Sequence, residues 1–230
     1  MKSTWVQNTG FIATNAAAKR RFYRSISQLL NIIICLPFIP ILLILFVVVG
    51  IAIKLDSPGP IFFVQERVGR YGKRFSIYKF RTLSHNHDPR SDHAFMQAYI
   101  SGKVDNLDVP TKPRFKPNNN GNITRLGNLL RKTSLDEIPQ IINILRGEMS
   151  LIGPRPNVPW EVDTYQLWHT ERLDVLPGIT GLAQVKGRSN LRFDELVRYD
   201  IYYVRNQSLI LDFKILWWTI LTIVTGLGAG

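Results

Sequence analysis

A run of 25 residues without a charged side chain, from Leu29 to Ile53, constrains this chain more than any other feature of its sequence. A helix of that length reaches roughly 37 Å, which exceeds the roughly 30 Å hydrocarbon core of a bilayer. The run is also too long, and begins too late, to be the apolar core of a cleaved signal peptide. The sequence therefore predicts a membrane segment that is retained in the folded protein.

Basic residues flank this apolar run on both sides, and two prolines interrupt it. Pro37 and Pro40 each remove a helical hydrogen bond near its middle. Since basic flanks favour the cytoplasmic side, the pattern indicates a re-entrant helix that enters the bilayer, bends at the prolines and returns. A tilted helix that crosses the bilayer with a proline kink is the open alternative. The flanking residues are Lys19, Arg20, Arg21 and Arg24 before the run, and Lys54, Arg67, Arg70, Lys73 and Arg74 after it.

The charge balance points to an anionic partner. The chain has 29 lysines and arginines against 17 acidic residues, a net charge of +12. The membrane segment favours anionic phospholipids and phosphorylated substrates, and we expect no nucleic-acid partner because the sequence shows neither a recognition helix nor an aromatic RNA platform.

The single cysteine, Cys35, excludes an internal disulfide and a cysteine-rich metal site. A chain of 230 residues suits one catalytic domain.

The rest of the sequence predicts an α+β fold that is mainly helical. Aromatic and β-branched runs at 61–64 and 74–80 surround a glycine turn at 69–73 and predict a short β-hairpin. A polar region at 84–122 is predicted to be a long excursion with a short helix near 94–100. Helical patterns mark 126–132, a segment beginning at Asp136, 160–173 and 193–204, and a turn is predicted at 177–181.

The C-terminal segment is very apolar but contains Asp212 and Lys214, so its uncharged part is too short to cross a bilayer. Trp217 and Trp218 are typical of the membrane interface and predict an amphipathic interfacial helix, with a core helix as the open alternative. The predicted organisation is an N-terminal arm at 1–25, a re-entrant membrane helix at 26–54, a cytoplasmic catalytic domain at 55–208 and a membrane-interface helix at 209–230.

Two adjacent carboxylates, Asp136 and Glu137, are the strongest candidates for chemistry. Ser134 and Glu137 have the spacing of a capping box, and acidic residues in a first turn also favour the helix dipole, so a purely structural role is one interpretation. In the chemical interpretation, one carboxylate attacks a phosphoryl group while the other holds a divalent cation. Basic residues that could bind the phosphate are Lys79, Arg81, Arg131 and Arg155.

Arg155 is distinguished among these by its neighbours, Pro154 and Pro156, which fix its backbone for recognition. Five histidine and aspartate residues between positions 85 and 93 form a second polar group, but their pattern does not predict a site. It matches no metal-binding spacing, so zinc is not expected there. Its members are His85, His87, Asp88, Asp92 and His93.

Four blocks follow one another along the chain: KLDSPGPIFFVQERVGRYGKRFSIYKFRT, LRKTSLDEIPQIINILRGEMSLIGPRP, PGITGLAQVKGR and YDIYYVRNQSLILDFKILWWTI. In this order they resemble the bacterial sugar transferase family, the monotopic phosphoglycosyl transferases. The resemblance implies transfer of a sugar 1-phosphate from a nucleoside diphosphate sugar, usually a UDP-sugar, to polyprenol phosphate, with release of UMP. It places this reaction at the cytoplasmic face of the bacterial inner membrane, where it initiates a surface glycan or exopolysaccharide.

The resemblance also implies roles for individual residues. Asp136 matches the nucleophile that forms a covalent phosphosugar intermediate, and Glu137 matches the Mg²⁺ ligand. Lys79, Arg131 and Arg155 match basic site residues, while Arg188 and Asp200 match further positions with weaker roles. The family breaks its re-entrant helix at a Ser-Pro pair, but here the prolines follow Leu36 and Ile39, so either proline can form the break.

The alternative hypothesis is a membrane-bound assembly or regulatory protein of glycan biosynthesis that keeps the fold without turnover. An oligomer is compatible with both hypotheses. The intact Asp136-Glu137 pair and Arg155 favour the enzyme.

Overall fold

The computed structural model describes residues 22–84, 96–100, 123–187 and 191–225. Most of the predicted arm, most of the polar region 84–122 and Arg188 lie outside these residues. The described chain is mainly helical with two pairs of short strands, which confirms the predicted α+β class. Helices α1 and α3 occupy 22–35 and 96–100. The other elements are α2 (Ile39–Asp56), β1 (Phe62–Val68), β2 (Arg74–Phe80), α4 (Arg125–Lys132), α5 (Ile141–Leu145), β3 (Ser150–Ile152), α6 (Pro159–Val162), β4 (Gly178–Thr180), α7 (Leu182–Lys186), α8 (Phe193–Arg205) and α9 (Leu209–Thr225).

The apolar segment forms α1 and α2, joined by a 3₁₀ turn at Leu36–Phe38. Pro37 lies inside this turn and Pro40 is in the first turn of α2. Among the described residues, the continuous stretch Phe22–Asp56 is the one helix long and apolar enough to cross a membrane by length and composition. Large apolar side chains around and after the turn are exposed: Leu36, Phe38, Ile41, Leu43, Ile44, Val47 and Val48.

Both ends of this segment contact the same domain. Near its start, the Tyr23 hydroxyl donates a hydrogen bond to Asp212 in α9 at 2.5 Å. Near its end, Ile53 is buried in a cluster with Phe80 of β2 and Leu130 of α4. The exposed apolar side chains therefore lie between two points of attachment to the domain.

The structure confirms the predicted β-hairpin. β1 and β2 are antiparallel, with Phe62 opposite Phe80 and Val68 opposite Arg74. The turn between them places Tyr71 and Gly72 at φ angles of 58° and 76°. At the open end, Phe62 stacks on Phe80 with ring centroids 5.7 Å apart, and Phe46 of α2 meets both rings edge-on. The hairpin is thus packed directly against α2 of the apolar segment.

The segment that contains the two carboxylates differs from its prediction. Leu135–Gln140 is a 3₁₀ helix with Pro139 inside it, and the α-helix begins only at Ile141. The predicted capping box is wrong, because Ser134 is in the left-handed region at φ 57° and its side chain makes no capping hydrogen bond. The Glu137 carboxylate is bonded instead to cationic side chains from other elements.

A second sheet replaces the turn predicted at 177–181. β3 and β4 pair in parallel, with Ser150 opposite Gly178 and Ile152 opposite Thr180. Their close approach requires glycine, since a Cβ atom on Gly178 would collide with the backbone of Gly153. The prediction of one continuous helix at 160–173 is also wrong. The chain forms α6, leaves the helical conformation at Gln166, and resumes as a 3₁₀ helix at Leu167–Asp174.

The two C-terminal helices lie where they were predicted, and α9 has one buried and one exposed face. Ile215 is fully buried and Asp212 is 8 % exposed, so one face of α9 packs on the domain. The other face leaves these apolar side chains exposed: Leu209, Ile210, Phe213, Trp217, Ile220 and Leu221.

Candidate active site

Three predicted site residues meet at one carboxylate oxygen. Glu137 lies in the 3₁₀ segment, Lys79 on β2 and Arg155 just after β3. Lys79 Nζ lies 2.8 Å from Glu137 Oε1, and both terminal nitrogens of Arg155 lie 3.0 Å from the same oxygen. The exposed fractions of these side chains are 13 % for Lys79, 17 % for Glu137 and 28 % for Arg155. The cluster is therefore largely shielded from water but open enough to meet a ligand.

The charges of this cluster fix its protonation. Burial favours the neutral form of Glu137, but the charges and hydrogen bonds of Arg155 and Lys79 outweigh it and hold the pKa of this carboxyl well below its usual range. Glu137 therefore stays ionised near neutral pH and is unsuited to acid catalysis. Burial lowers the pKa of Lys79 to about 8, although Glu137 opposes that shift. Lys79 is still mainly protonated near neutral pH.

Asp136 precedes Glu137 in the same 3₁₀ segment, and it interacts electrostatically with Lys79 and Arg155. Successive residues of a 3₁₀ helix point about 120° apart, so adjacent carboxylates can serve different purposes. Ser134 immediately precedes this segment and has a left-handed conformation, which is uncommon for a residue other than glycine. Such strained residues cost on the order of 1–3 kcal/mol and cluster at functional sites.

A cavity of about 480 Å³ adjoins the carboxylate cluster. Glu137, Arg155 and Arg131 line it, and Arg131 Nε donates a hydrogen bond to Thr82 Oγ1 at 2.9 Å. The cavity extends to Thr219 of α9, the helix with the exposed apolar face. It combines a charged end with a largely apolar wall, to which Ile138, Ile141, Leu151, Ile179, Leu196 and Ile223 contribute.

The sequence profile of bacterial sugar transferases matches residues 22–226. The chain belongs to the bacterial sugar transferase family. It is 35 % identical over 213 residues to the UDP-N-acetylgalactosamine-undecaprenyl-phosphate N-acetylgalactosaminephosphotransferase of Aeromonas hydrophila. It is 40 % identical over 161 residues to the undecaprenyl-phosphate galactose phosphotransferase of Salmonella typhimurium. It is 34 % identical over 214 residues to the exopolysaccharide production protein ExoY of Sinorhizobium fredii.

These three relatives differ in length. The match covers 90 % of this chain and 45 % of the Aeromonas protein, and 70 % of this chain and 33 % of the Salmonella protein. It covers 93 % of this chain and 89 % of ExoY. The chain thus spans less than half the length of the first two relatives and most of the third.

Asp200, predicted as a site residue, lies in the cavity wall as one half of a buried ion pair. Its partner, Arg172, was not predicted and is 2 % exposed. Arg172 Nη2 lies 2.5 Å from Asp200 Oδ2 and donates a second hydrogen bond to the backbone carbonyl of Arg155 at 3.0 Å. Arg172 Nη1 donates to Asn157 and Tyr165, both at 2.7 Å. Asp200 therefore supports the Arg155 loop through Arg172.

Arg67 also supports this loop and was misassigned from the sequence, where it was counted with the basic membrane flank. Its guanidinium donates a hydrogen bond to the carbonyl of Pro156 at 3.0 Å and to Gln65 at 2.6 Å. Burial, and then the charge of Arg155, lower the pKa of Arg67 to about 10. Arg67 therefore faces the interior of the domain, where it adds positive charge beside Arg155.

Arg81, another predicted site residue, does not join the cluster. Arg81 is 6 % exposed, and its guanidinium binds the carbonyls of Ser57 and Pro58 at 2.7 and 2.8 Å. It fixes the turn between α2 and β1 and does not line the cavity. Arg188 lies outside the described residues. No sequence pattern marked Arg172, because a single arginine in a helical stretch is usually solvated.

Proposed function

We propose that this protein is a phosphoglycosyl transferase that moves a sugar 1-phosphate from a UDP-sugar to polyprenol phosphate at the cytoplasmic face of the bacterial inner membrane. The products are polyprenyl-diphosphate-sugar and UMP, and the reaction initiates a surface glycan or exopolysaccharide. The names of the Aeromonas and Salmonella relatives, which specify an undecaprenyl-phosphate carrier, support this assignment.

One structural observation carries the proposal. A carboxylate, Glu137, is held by Lys79 and Arg155 beside a second carboxylate, Asp136, at the edge of a cavity with an apolar wall. With Arg67 and Arg131 nearby, positive charges outnumber negative ones, which suits a pyrophosphate group. The apolar wall and the exposed face of α9 suit a lipid acceptor that stays in the membrane.

The chemistry divides into two displacements at one phosphorus atom. In the first, a carboxylate oxygen of Asp136 attacks the phosphorus that carries the sugar, the bridging P–O bond breaks, and UMP leaves with the bonding electron pair. In the second, a phosphate oxygen of the lipid attacks the same phosphorus and releases the Asp136 carboxylate. Arg155 and Lys79 stabilise the negative charge on the phosphoryl oxygens, because their positions are fixed before the substrate binds.

We also propose Mg²⁺ as the cofactor, with Glu137 as a ligand. The residues fit this ion, since all three hydrogen bonds to Glu137 engage Oε1, and Oε2 accepts none from the described residues. Mg²⁺ in phosphoryl-transfer sites is commonly held by one or two carboxylates and completed by substrate phosphates and water. When bound, it would neutralise negative charge on the pyrophosphate.

The test of this function is transfer by the purified protein in lipid nanodiscs. A panel of UDP-sugars is supplied with undecaprenyl phosphate, and UMP release and glycolipid formation are measured. We expect equimolar UMP and glycolipid from at least one UDP-sugar, and no UMP without the lipid beyond a single turnover. Absence of both products with every nucleotide sugar would favour the non-catalytic assembly protein.

We expect transfer to require Mg²⁺ and the Glu137→Gln variant to require more of it. Loss of even an outer-shell partner costs about 10- to 100-fold in metal affinity, so the Mg²⁺ concentration for half-maximal activity should rise at least as much. The measurement is a titration of initial rate against Mg²⁺. The matched control is Glu66→Gln, a carboxylate that is 53 % exposed on the hairpin. Full wild-type activity in excess chelator would exclude the metal.

We propose that the apolar segment is re-entrant, because its two ends contact the same domain and both flanks carry positive charge. The experiment uses single cysteines at Phe22 and Leu55, both exposed, in a Cys35→Ser background. In intact cells, both should resist a membrane-impermeant thiol reagent, and both should react after permeabilisation. A cysteine at the exposed Leu167 is the domain control. Reaction at position 22 alone in intact cells would demonstrate a spanning helix.

A further inference from the structure

Asn31 is a buried polar residue of α1 that lies within the uncharged run beginning at Leu29, with only 7 % of its surface exposed. Its Nδ2 donates a hydrogen bond to Ser150 Oγ at 2.9 Å. Its Oδ1 accepts one from the backbone N–H of Leu151 at 3.3 Å. An amide that donates and accepts in this way satisfies polar groups that an apolar side chain would leave without partners.

The contact lies on the outer edge of β3. Ser150 and Ile152 pair with β4 on the other edge, so the Leu151 N–H points away from the sheet partner. Asn31 therefore takes the place that a neighbouring strand would otherwise occupy. Three residues after Ile152, the same chain reaches Arg155, whose guanidinium holds Glu137.

A second contact joins α1 to the same strand. Tyr23 donates to Asp212, and Tyr203 donates to the other oxygen of the same carboxylate at 3.0 Å. The Tyr203 hydroxyl also lies 3.4 Å from the carbonyl oxygen of Ile152. The membrane segment is thus bonded to β3 directly through Asn31 and indirectly through the Asp212 group.

We propose that Asn31 is a positioning residue that holds β3, and through it Arg155, in place from the membrane segment. Since Glu137, Lys79 and Arg155 share one oxygen, a small displacement of β3 moves Arg155 relative to its partner and to a bound phosphate. The role rests on the proposed function, in which Arg155 binds the phosphoryl group. In this role, Asn31 affects catalysis and does more than pack α1 against the domain.

The experiment is a double-mutant cycle between Asn31→Leu and Arg155→Lys, with initial rates measured in nanodiscs. We expect Asn31→Leu alone to lower kcat/KM about tenfold or more, because displacements of about 1 Å at a site can cost a hundredfold. In the Arg155→Lys background, the same substitution should cost at most about twofold, because coupled residues are non-additive. Gln28→Leu, which removes an exposed amide one turn earlier in α1, is the matched control and should leave the rate unchanged.

A merely structural role would lower the folded fraction and multiply with the Arg155→Lys effect, so full additivity would overturn the proposal. Unchanged kinetics in Asn31→Leu would overturn it too. If that variant does not fold, Ser150→Ala, which removes the same bond from the domain side, replaces it in the cycle. The cycle is repeated on affinity for inorganic pyrophosphate, where the same non-additivity is expected. This second readout decides the role of Asn31 even if no UDP-sugar is turned over and the proposed function fails.

Discussion

Replacing Asp136 with asparagine should abolish transfer while the protein remains folded and bound to the membrane. The amide keeps the shape of the carboxylate but is a poor nucleophile, so the covalent step is lost. We expect a fall in kcat of at least about a thousandfold, the scale on which loss of a nucleophile acts. Stability should change little, because Asp136 is only partly buried at the start of a 3₁₀ segment. Initial rates and thermal unfolding in nanodiscs measure the two effects.

The proposed covalent intermediate gives this prediction a direct readout. Wild-type protein incubated with a UDP-sugar labelled in the transferred phosphate, without lipid acceptor, should retain the label until hydroxylamine cleaves the acyl phosphate. Asp136→Asn should retain none. Asp163→Asn, an exposed carboxylate after α6, is the matched control and should behave as wild type. Near-normal turnover by Asp136→Asn would remove Asp136 from the reaction.

Of the three residues that meet in the cluster, Glu137 and Arg155 carried a local signal, whereas Lys79 was named only as a basic residue and by the family resemblance. Glu137 stood next to a second carboxylate, and Arg155 stood between two prolines. The wider elements followed from periodicity, which is why the hairpin and α8 were correctly predicted. The prediction of a capping box is wrong because it considered only local residues. The Glu137 side chain forms stronger charge pairs with residues of distant elements instead.

Other features had no local signal at all. β3 and β4 are three residues each, too short to show alternation, and their pairing depends on the approach of Gly153 to Gly178. Asn31 and Arg172 are polar residues whose roles depend on hydrogen bonds to backbone groups of residues distant in sequence. Such contacts are products of the tertiary fold, so periodicity and spacing could not predict them.

The pair formed by Arg172 and Asp200 should show the second-largest effect, on stability and activity together. Both residues are 2 % exposed, and Arg172 donates a hydrogen bond to the Arg155 carbonyl. Arg172→Met leaves Asp200 as a buried carboxylate without its cation, which typically costs about 3–5 kcal/mol of unfolding free energy. It should also lower kcat/KM about a hundredfold, because the Arg155 loop loses a donor that fixes it. Unfolding in nanodiscs and initial rates are the measurements.

The pH dependence of this variant has a defined sign. Burial raises the pKa of Asp200 to about 6, although Arg172 opposes the shift, and removing Arg172 should raise that pKa further. When folding raises the pKa of a carboxyl, the stability that this group gives to the protein is lost as the pH rises from the pKa of the unfolded state through the pKa of the folded state. The stability deficit of Arg172→Met should therefore shrink as the pH is lowered from neutral toward 5. Wild type, with the cation in place, should recover less over the same range.

The double variant Arg172→Met/Asp200→Leu separates the cost of an unpaired charge from the loss of support for Arg155. Replacing both partners removes the buried charge, so stability should return most of the way to wild type. Activity should stay as low as in Arg172→Met, because neither new side chain can donate to the Arg155 carbonyl. The exposed pair Arg205–Glu171 is the control, and Arg205→Met should change neither property measurably. Recovery of activity together with stability would show that the pair serves folding alone and that Arg155 is held in place without Arg172.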